Sequence, residues 1–334
     1  MPNRKAPRIG LILALTVNGL AVSDYRDMVR VSKAAEQYGF DSIWLCDHFL
    51  TLSPDEYVKD AGITADRGDG GGTGGAPRTM PLLEGWTALS ALARDTTTLR
   101  LGTSVLCNSY RYPAVLAKMA ATLDVISGGR LELGIGAGWF QREFEAYGIP
   151  FPSAGDRVSA LGEALDVIKA VLTEDNPTFS GRFYTIDGAI CDPKPVQTPH
   201  PPLWVGGEGD RVQRIAARSA QGLNIRWWSP EKVRSRQGFL AQACEAVDRD
   251  PATLRLSVTA LLAPTRSADQ ESSLRAEFSS IPESGLMVGT PEHCVDRINE
   301  YRSAGVDQFL FTIPHVATSE YIDVVGTEII PMLG

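Results

Sequence analysis

The segment SIWLCDHF, residues 42–49, runs apolar through Ile43, Trp44 and Leu45 and then ends on Asp47 and His48. An imidazole titrates close to neutral pH, so it can give or take a proton, and an adjacent carboxylate can orient it. The competing reading is an aspartate capping a helix beside a packed histidine. Four further stretches carry residue types suited to holding a ligand. In GTSVLCNSYRYP, Thr103, Ser104 and Asn108 could hydrogen-bond a planar heterocycle or simply fill a strand. In GIGAGW, Gly134, Gly136 and Gly138 recur at every second residue, so they share a face that admits another backbone or a flat ligand. In VGGEGDRVQRIAARSA, Gly206, Gly207 and Gly209 form a turn before a helix near Asp210, where backbone N–H groups favour a phosphate. In NIRWW, Trp227 and Trp228 offer an aromatic wall or ordinary packing.

Several other chemistries lack their residues. Trp139 stands where a dinucleotide fingerprint needs its third glycine, and no GK[ST] follows the turn at 206–209. There is no GxSxG, no HExxH and no Cys/His metal spacing, and no lysine ends a strand-like run. A lone histidine, a glycine-backed strand, an anion-binding turn and aromatic walls together point to a phosphate-bearing planar cofactor. The work such a site suits is hydride or oxygen chemistry on a flavin-like ring.

Positioning these groups requires strands that all end on one side. Eight apolar, β-like runs alternate with helical ones: residues 8–15, 40–48, 99–106, 130–138, 202–207, 222–228, 254–263 and 306–313. Ser23 and Gly39 bracket the first helix; Thr290, Pro291 and Gly305 bracket a late one. Strand–helix alternation implies a parallel sheet covered by helices, and eight units in this length predict a (β/α)8 TIM barrel forming one domain over residues 1–334. An open doubly wound sheet is the competitor, but it usually holds fewer units. In a barrel, the carboxyl ends of the strands converge on the active mouth, which is where Asp47 and His48 would sit.

The expected insertions follow strands two and four. Residues 51–81 include RGDGGGTGGAP and read as a mobile lid or a disordered surface loop. Residues 139–155 form another insertion, and residues 175–200 hold a hairpin, TFSGRFYTIDG, followed by an extended proline-rich run.

Composition narrows the partners. Net charge is −8, from 32 basic and 40 acidic residues, which argues against nucleic acid and anionic membranes. No stretch approaches the length of an apolar membrane span, and IGLILAL near the start lacks a cleavage pattern. Five widely spaced cysteines without a CxxC fit a reducing compartment, hence the cytoplasm.

The blocks GFDSIWLCDHF, LRLGTSVLCNSYRYPAVLAKMAATLDVISGGRLELGIGAGWFQREFEAYGIPFP and PPLWVGGEGDRVQRIAARSAQGLN make the chain similar to the bacterial luciferase-like family. Within it, the chain most resembles the branch using the deazaflavin coenzyme F420. The resemblance runs from the first strand to the final helix. It implies the luciferase-like TIM barrel, with F420 at the mouth and FMN as the alternative cofactor. It also implies a catalytic role for His48 with Asp47 beside it, and a non-prolyl cis peptide at Ser104–Val105 backing the ring. Asn108, Gly138 and Trp139 would hold the ring and its ribityl chain, and Gly206, Gly207, Glu208 and Gly209 the phosphate. Arg211 and Arg214 are candidates for the cofactor's anionic tail, and Glu143 and Arg157 for structural ion pairing. Trp139 replaces an acid of the sugar-phosphate enzymes, which puts that substrate in doubt; the lid with Trp227 and Trp228 would suit a larger apolar or aromatic one.

The function implied is hydride transfer between the deazaflavin and a small organic molecule, in a cytoplasmic homodimer. The alternatives are a monooxygenase using reduced FMN and a flavin-binding protein without catalysis. No metal is expected.

Overall fold

The computed structural model describes residues 6–14, 20, 22, 24–51, 81–318 and 320–334. The strands among them are β1 (Arg8–Ala14), β2 (Ser42–Leu45), β3 (Arg100–Thr103), β4 (Leu106–Cys107), β5 (Leu131–Gly136), β6 (Thr178–Ser180), β7 (Thr185–Asp187), β8 (Leu203–Gly206), β9 (Gly222–Arg226), β10 (Arg255–Pro264), β11 (Leu286–Gly289) and β12 (Gln308–Thr312). Eight pair in the order β1-β2-β3-β5-β8-β9-β10-β12, and β12 returns to β1, so the parallel sheet closes into a barrel. These are the eight runs read from the sequence. β4 extends the pairing of β5, and β6 and β7 form the expected antiparallel hairpin.

Strand alternation sorts the side chains into two layers. Leu11, Ile43, Leu101, Leu133, Val205, Ile225, Val258 and Phe309 face the surrounding helices. Ile12, Trp44, Trp204, Leu261 and Leu310 fill the barrel itself. Two tryptophans dominate that inner layer, with ring centroids 6.2 Å apart and planes at 88°. They fit because facing strand positions carry no side chain. A Cβ on Gly102 would lie 2.2 Å from Trp44, and one on Gly222 would lie 2.2 Å from Trp204. At the amino end, Trp204 Nε1 donates to Glu132 Oε2 at 2.8 Å, and Arg8 and Arg100 neutralise that buried carboxylate. A packed, ion-paired floor leaves the opposite mouth for chemistry.

Helix ends follow local signals. Thr290 caps the helix Pro291–Ala304, and Gly305 ends it at φ 108°. The first helix, Tyr25–Gln37, is capped by Asp24, whose side chain accepts from the Arg26 and Asp27 N–H groups; Ser23, the expected cap, lies outside the described residues. The lid expected over 51–81 is likewise outside them, apart from its two end residues. The insertion 139–155 contains a short helix, Gln141–Ala146. β11 was not legible as a separate strand: its four residues pair with the carboxyl half of β10.

Candidate active site

The alternation that builds the barrel also aims the site. On β2 and its extension, Ser42, Trp44, Cys46 and His48 share the inward parity. Asp47 has the opposite parity, and its carboxylate turns sideways. It accepts from Cys107 N–H at 2.9 Å and pairs with Arg111 through two contacts of 2.7 and 2.9 Å. Arg111 in turn reaches Glu84, which caps the helix Gly85–Asp95. Asp47 therefore ties the end of β2 to β4 and to Arg111 beyond it rather than orienting His48.

The partner of His48 is Glu143, ninety-five positions away on the short inserted helix. His48 Nδ1 lies 2.9 Å from Glu143 Oε2. The same carboxylate accepts from Phe49 N–H at 2.7 Å, Leu50 N–H at 2.9 Å and the Tyr110 hydroxyl at 2.8 Å. Burial pushes the Glu143 carboxyl up, but His48 and the other donors outweigh it and hold it below the usual carboxylate range. A carboxylate only accepts, so Nδ1 carries the hydrogen and Nε2 is the nitrogen left for chemistry. Trp139 and Phe140 flank the imidazole, at centroid distances of 5.7 and 6.1 Å. Glu143 was expected to be a structural ion-pairing residue; its contacts make it the group that sets the histidine's tautomer. Arg157, expected beside it in that role, bonds the carbonyls of Gly138 and Pro152 and covers the Phe151 ring at 3.9 Å.

His48 opens onto a cavity of about 680 Å³. Its wall includes Asp47, Ser104, Val105, Gly138, Trp139, Gly206, Gly207, Glu208, Trp227 and Trp228, all named from the sequence. Asn108 and Gly209 do not line it. Asn108 is buried and donates to the Tyr184 hydroxyl at 2.9 Å, joining the 178–187 hairpin to the barrel. The polar or thiol-bearing lining residues missed were Cys46, Cys107, Tyr110, Asn224, Arg226 and Thr259. Parity in GLNIR could have found two of them, since Gly222, Asn224 and Arg226 share the inward face.

The Ser104–Val105 peptide is cis. Its surroundings explain the glycines of β5 and β8. A Cβ on Gly134 would sit 1.9 Å from Thr103 O, and Cβ atoms on Gly136 and Gly206 would each sit 2.8 Å from Val105 methyls. Of the two partners open to that glycine face, Gly134 meets another backbone. Trp227 and Trp228 are neighbours and would ordinarily point opposite ways. Trp227 adopts φ 57°, which breaks the alternation and lets both rings line the cavity. Its N–H reaches Thr259 O at 3.2 Å and its carbonyl accepts from Ser284 Oγ at 2.6 Å.

At the far side, Gly206–Gly209 leads into the helix Asp210–Ser219, whose N-cap Gly209 supplies no side-chain cap. The leading N–H groups therefore have no side-chain cap, and a Cβ at Gly209 would meet nothing within 4 Å. Backbone N–H groups at a helix start of this kind favour an anion. Arg211 and Arg214 turn away from it: Arg211 bonds Ser159 Oγ at 2.7 Å, and Arg214 lies over Phe239. Among the described residues no group of three or more His, Cys, Asp or Glu is placed to hold a metal, and no helix is long and apolar enough to cross a membrane.

Known proteins resemble this chain in sequence and in fold. The chain is 28% identical to an F420-dependent glucose-6-phosphate dehydrogenase of Kineococcus radiotolerans, over 90% of each chain. It is 32% identical to the enzyme of the same name from Amycolatopsis mediterranei, over 59% of this chain and 52% of that one. The fold of an F420-dependent secondary alcohol dehydrogenase, solved with an F420–acetone adduct, superposes with a TM-score of 0.76 at 21% identity, covering 98% and 99% of the two chains. The sequence profile of the luciferase-like monooxygenases matches residues 10–282, nearly the whole barrel, and the chain belongs to that family.

Proposed function

We propose that the protein is a coenzyme F420-dependent oxidoreductase acting on a small organic substrate. The observation that carries this reading is one cavity with a tautomer-fixed histidine at one side and an uncapped, glycine-rich helix start at the other. A planar ring bearing a phosphate matches both ends. The residues fit such a group: Val105 backs the ring position where Gly136 and Gly206 leave room, Gly138 and Trp139 border it, and Gly206–Gly209 receives the phosphate. The relatives named above add the choice of F420 over FMN.

Bound F420 would supply a two-electron hydride donor or acceptor. The chain's part is the proton. In the oxidative direction, Nε2 of neutral His48 takes the hydroxyl proton as the substrate carbon loses its hydride, and Glu143 stabilises the imidazolium formed. In the reductive direction the same nitrogen returns the proton to the new alkoxide. Trp139, Phe140, Trp227 and Trp228 exclude water from that exchange.

The barrel running from Arg8 to Thr312 supports a single domain over 1–334, and five buried, unpaired cysteines support a cytoplasmic setting. A homodimer is part of the proposal. The test is anaerobic turnover: alcohols with oxidised F420 and carbonyl compounds with reduced F420, followed by F420 absorbance. Turnover that falls at least roughly 100-fold in His48→Ala supports the proposal. Turnover only with reduced FMN and oxygen replaces it with a monooxygenase.

A further inference from the structure

Trp227 stands in the cavity wall on a backbone that its surroundings must hold. Its φ of 57° is left-handed, a conformation that a bulky side chain rarely adopts. The contacts that enforce it come from a neighbouring segment, and they bear on what the cavity admits.

Trp227 N–H donates to Thr259 O at 3.2 Å, and Ser284 Oγ donates to Trp227 O at 2.6 Å, so the residue is pinned on both sides. Ser284 is fixed in turn from the outer layer. Tyr301, fully buried on the helix Pro291–Ala304, donates its hydroxyl to Ser284 O at 2.7 Å. Gly285 follows, the last residue of the 3-10 turn Glu283–Gly285 before β11. A Cβ there would lie 2.5 Å from Trp227 Cδ1, 2.6 Å from its Cγ and 2.9 Å from Ile281 Cγ2. These are indole atoms next to the pinned backbone, not the loose end of a side chain. Gly285 has no left-handed φ of its own, so what position 285 supplies is bare space rather than backbone freedom. Arg226 covers the same indole, with Cζ 4.9 Å from the ring centroid. Trp227 lines the cavity, whereas Ser284 and Gly285 do not. A larger residue at 285 therefore has to turn the indole, and the space that the indole borders is the cavity.

That space is apolar and aromatic toward the reacting nitrogen. Trp139 and Phe140, which flank His48, share the cavity wall with Trp227, Trp228, Ile12 and Pro282. We infer that Trp227 is a specificity-determining residue, that the bare position at Gly285 sets how far its indole stands into the cavity, and that the substrate is a flat aromatic carbonyl or alcohol compound measured by that ring. Such a body gains from burial against aromatic walls and from ring-on-ring packing. One methyl more or less in an apolar pocket discriminates between ligands by roughly 10-fold or more, so a side chain outside the cavity can select substrates by moving one inside it.

This inference rests on the oxidoreductase reading, and one experiment separates the two. Acetophenone and 2-acetylnaphthalene, alike at the carbonyl and differing by one ring, are titrated calorimetrically into the protein loaded with oxidised F420, which leaves a ketone unreduced. Wild type should bind the naphthyl ketone at least roughly fivefold more tightly. Gly285→Ala should weaken that ligand at least roughly 10-fold and leave acetophenone within about threefold. Trp227→Phe added to Gly285→Ala should return most of the loss, because the smaller ring clears the new methyl. An equal loss for both ketones, no loss for either, or no rescue by Trp227→Phe would overturn the role of Gly285. If Gly285→Ala does not fold, Ser284→Ala decides instead. It leaves position 285 bare and removes the pin on Trp227 O, so the naphthyl preference should fall at least roughly threefold, and an unchanged preference would overturn the inference. Wild type that binds neither ketone would overturn the substrate class. If wild type binds no F420, the oxidoreductase reading fails, and the same ketone pair on the protein alone still decides the role of Gly285.

Discussion

Replacing Glu143 by glutamine tests whether His48 works through a fixed tautomer. The side chain keeps its shape and its Oε1 can still accept from Phe49 and Leu50, but an NH2 donor or a neutral oxygen now faces Nδ1. Hydrogen bonds to charged groups contribute about 1.5–3 kcal/mol, and 1.36 kcal/mol is tenfold in rate, so the loss in kcat/KM should be roughly 10- to 150-fold. F420 affinity should stay within about threefold, because Glu143 does not line the cavity. Tyr110→Phe removes one neutral donor and leaves the carboxylate, so its loss should be about 2- to 10-fold. Nitrogen spectra of 15N-histidine-labelled protein should show the Nδ1–H form in wild type and its loss in Glu143→Gln. In a His48→Ala background, Glu143→Gln should cost nothing further in rate. A loss of the same size in that background would refute the positioning role and make Glu143 a purely structural group.

Three further outcomes follow from the same contacts. The Glu143 carboxyl titrates below its unfolded value, so its contribution to stability is present above the ordinary carboxylate range and lost as pH falls through the lowered folded value; the gap between wild type and Glu143→Gln in denaturant midpoints should therefore close in acid. Asp47→Asn leaves Arg111 with Glu84 as its remaining carboxylate partner in a largely buried setting, and should destabilise the fold by about 2–4 kcal/mol in urea unfolding while the His48 tautomer in the folded fraction remains that of wild type. Gly209→Asp should raise stability by a few tenths of a kcal/mol, because aspartate caps a helix better than glycine and the site has room, yet weaken F420 binding by roughly tenfold through repulsion of the phosphate.

The contrast between Asp47 and Glu143 shows where local sequence reading stops. All eight barrel strands were legible because each alternates with a helical run, and the hairpin 178–187 because Gly181 and Gly188 punctuate short β-like runs. His48 was legible as a strand-end group. Its partner was not, because adjacency in a strand sends Asp47 to the other face, and the residue that does reach the imidazole arrives on an inserted helix. The glycines 134, 136 and 138 were visible as a close-approach surface, but only the fold shows Thr103, Val105 and Cys107 filling it. Trp227 and Trp228 were named together although strict alternation would separate them; the left-handed backbone at Trp227 reunites them.

The central claim is most directly tested by titrating the purified protein, without oxygen, with F420 and with FMN in parallel, followed by absorbance and fluorescence. The account predicts saturable micromolar binding of F420, at least roughly 100-fold tighter than FMN, and weakened in Gly209→Asp. Tight FMN binding, with reduced FMN consumed once oxygen is admitted and no affinity for F420, would contradict it.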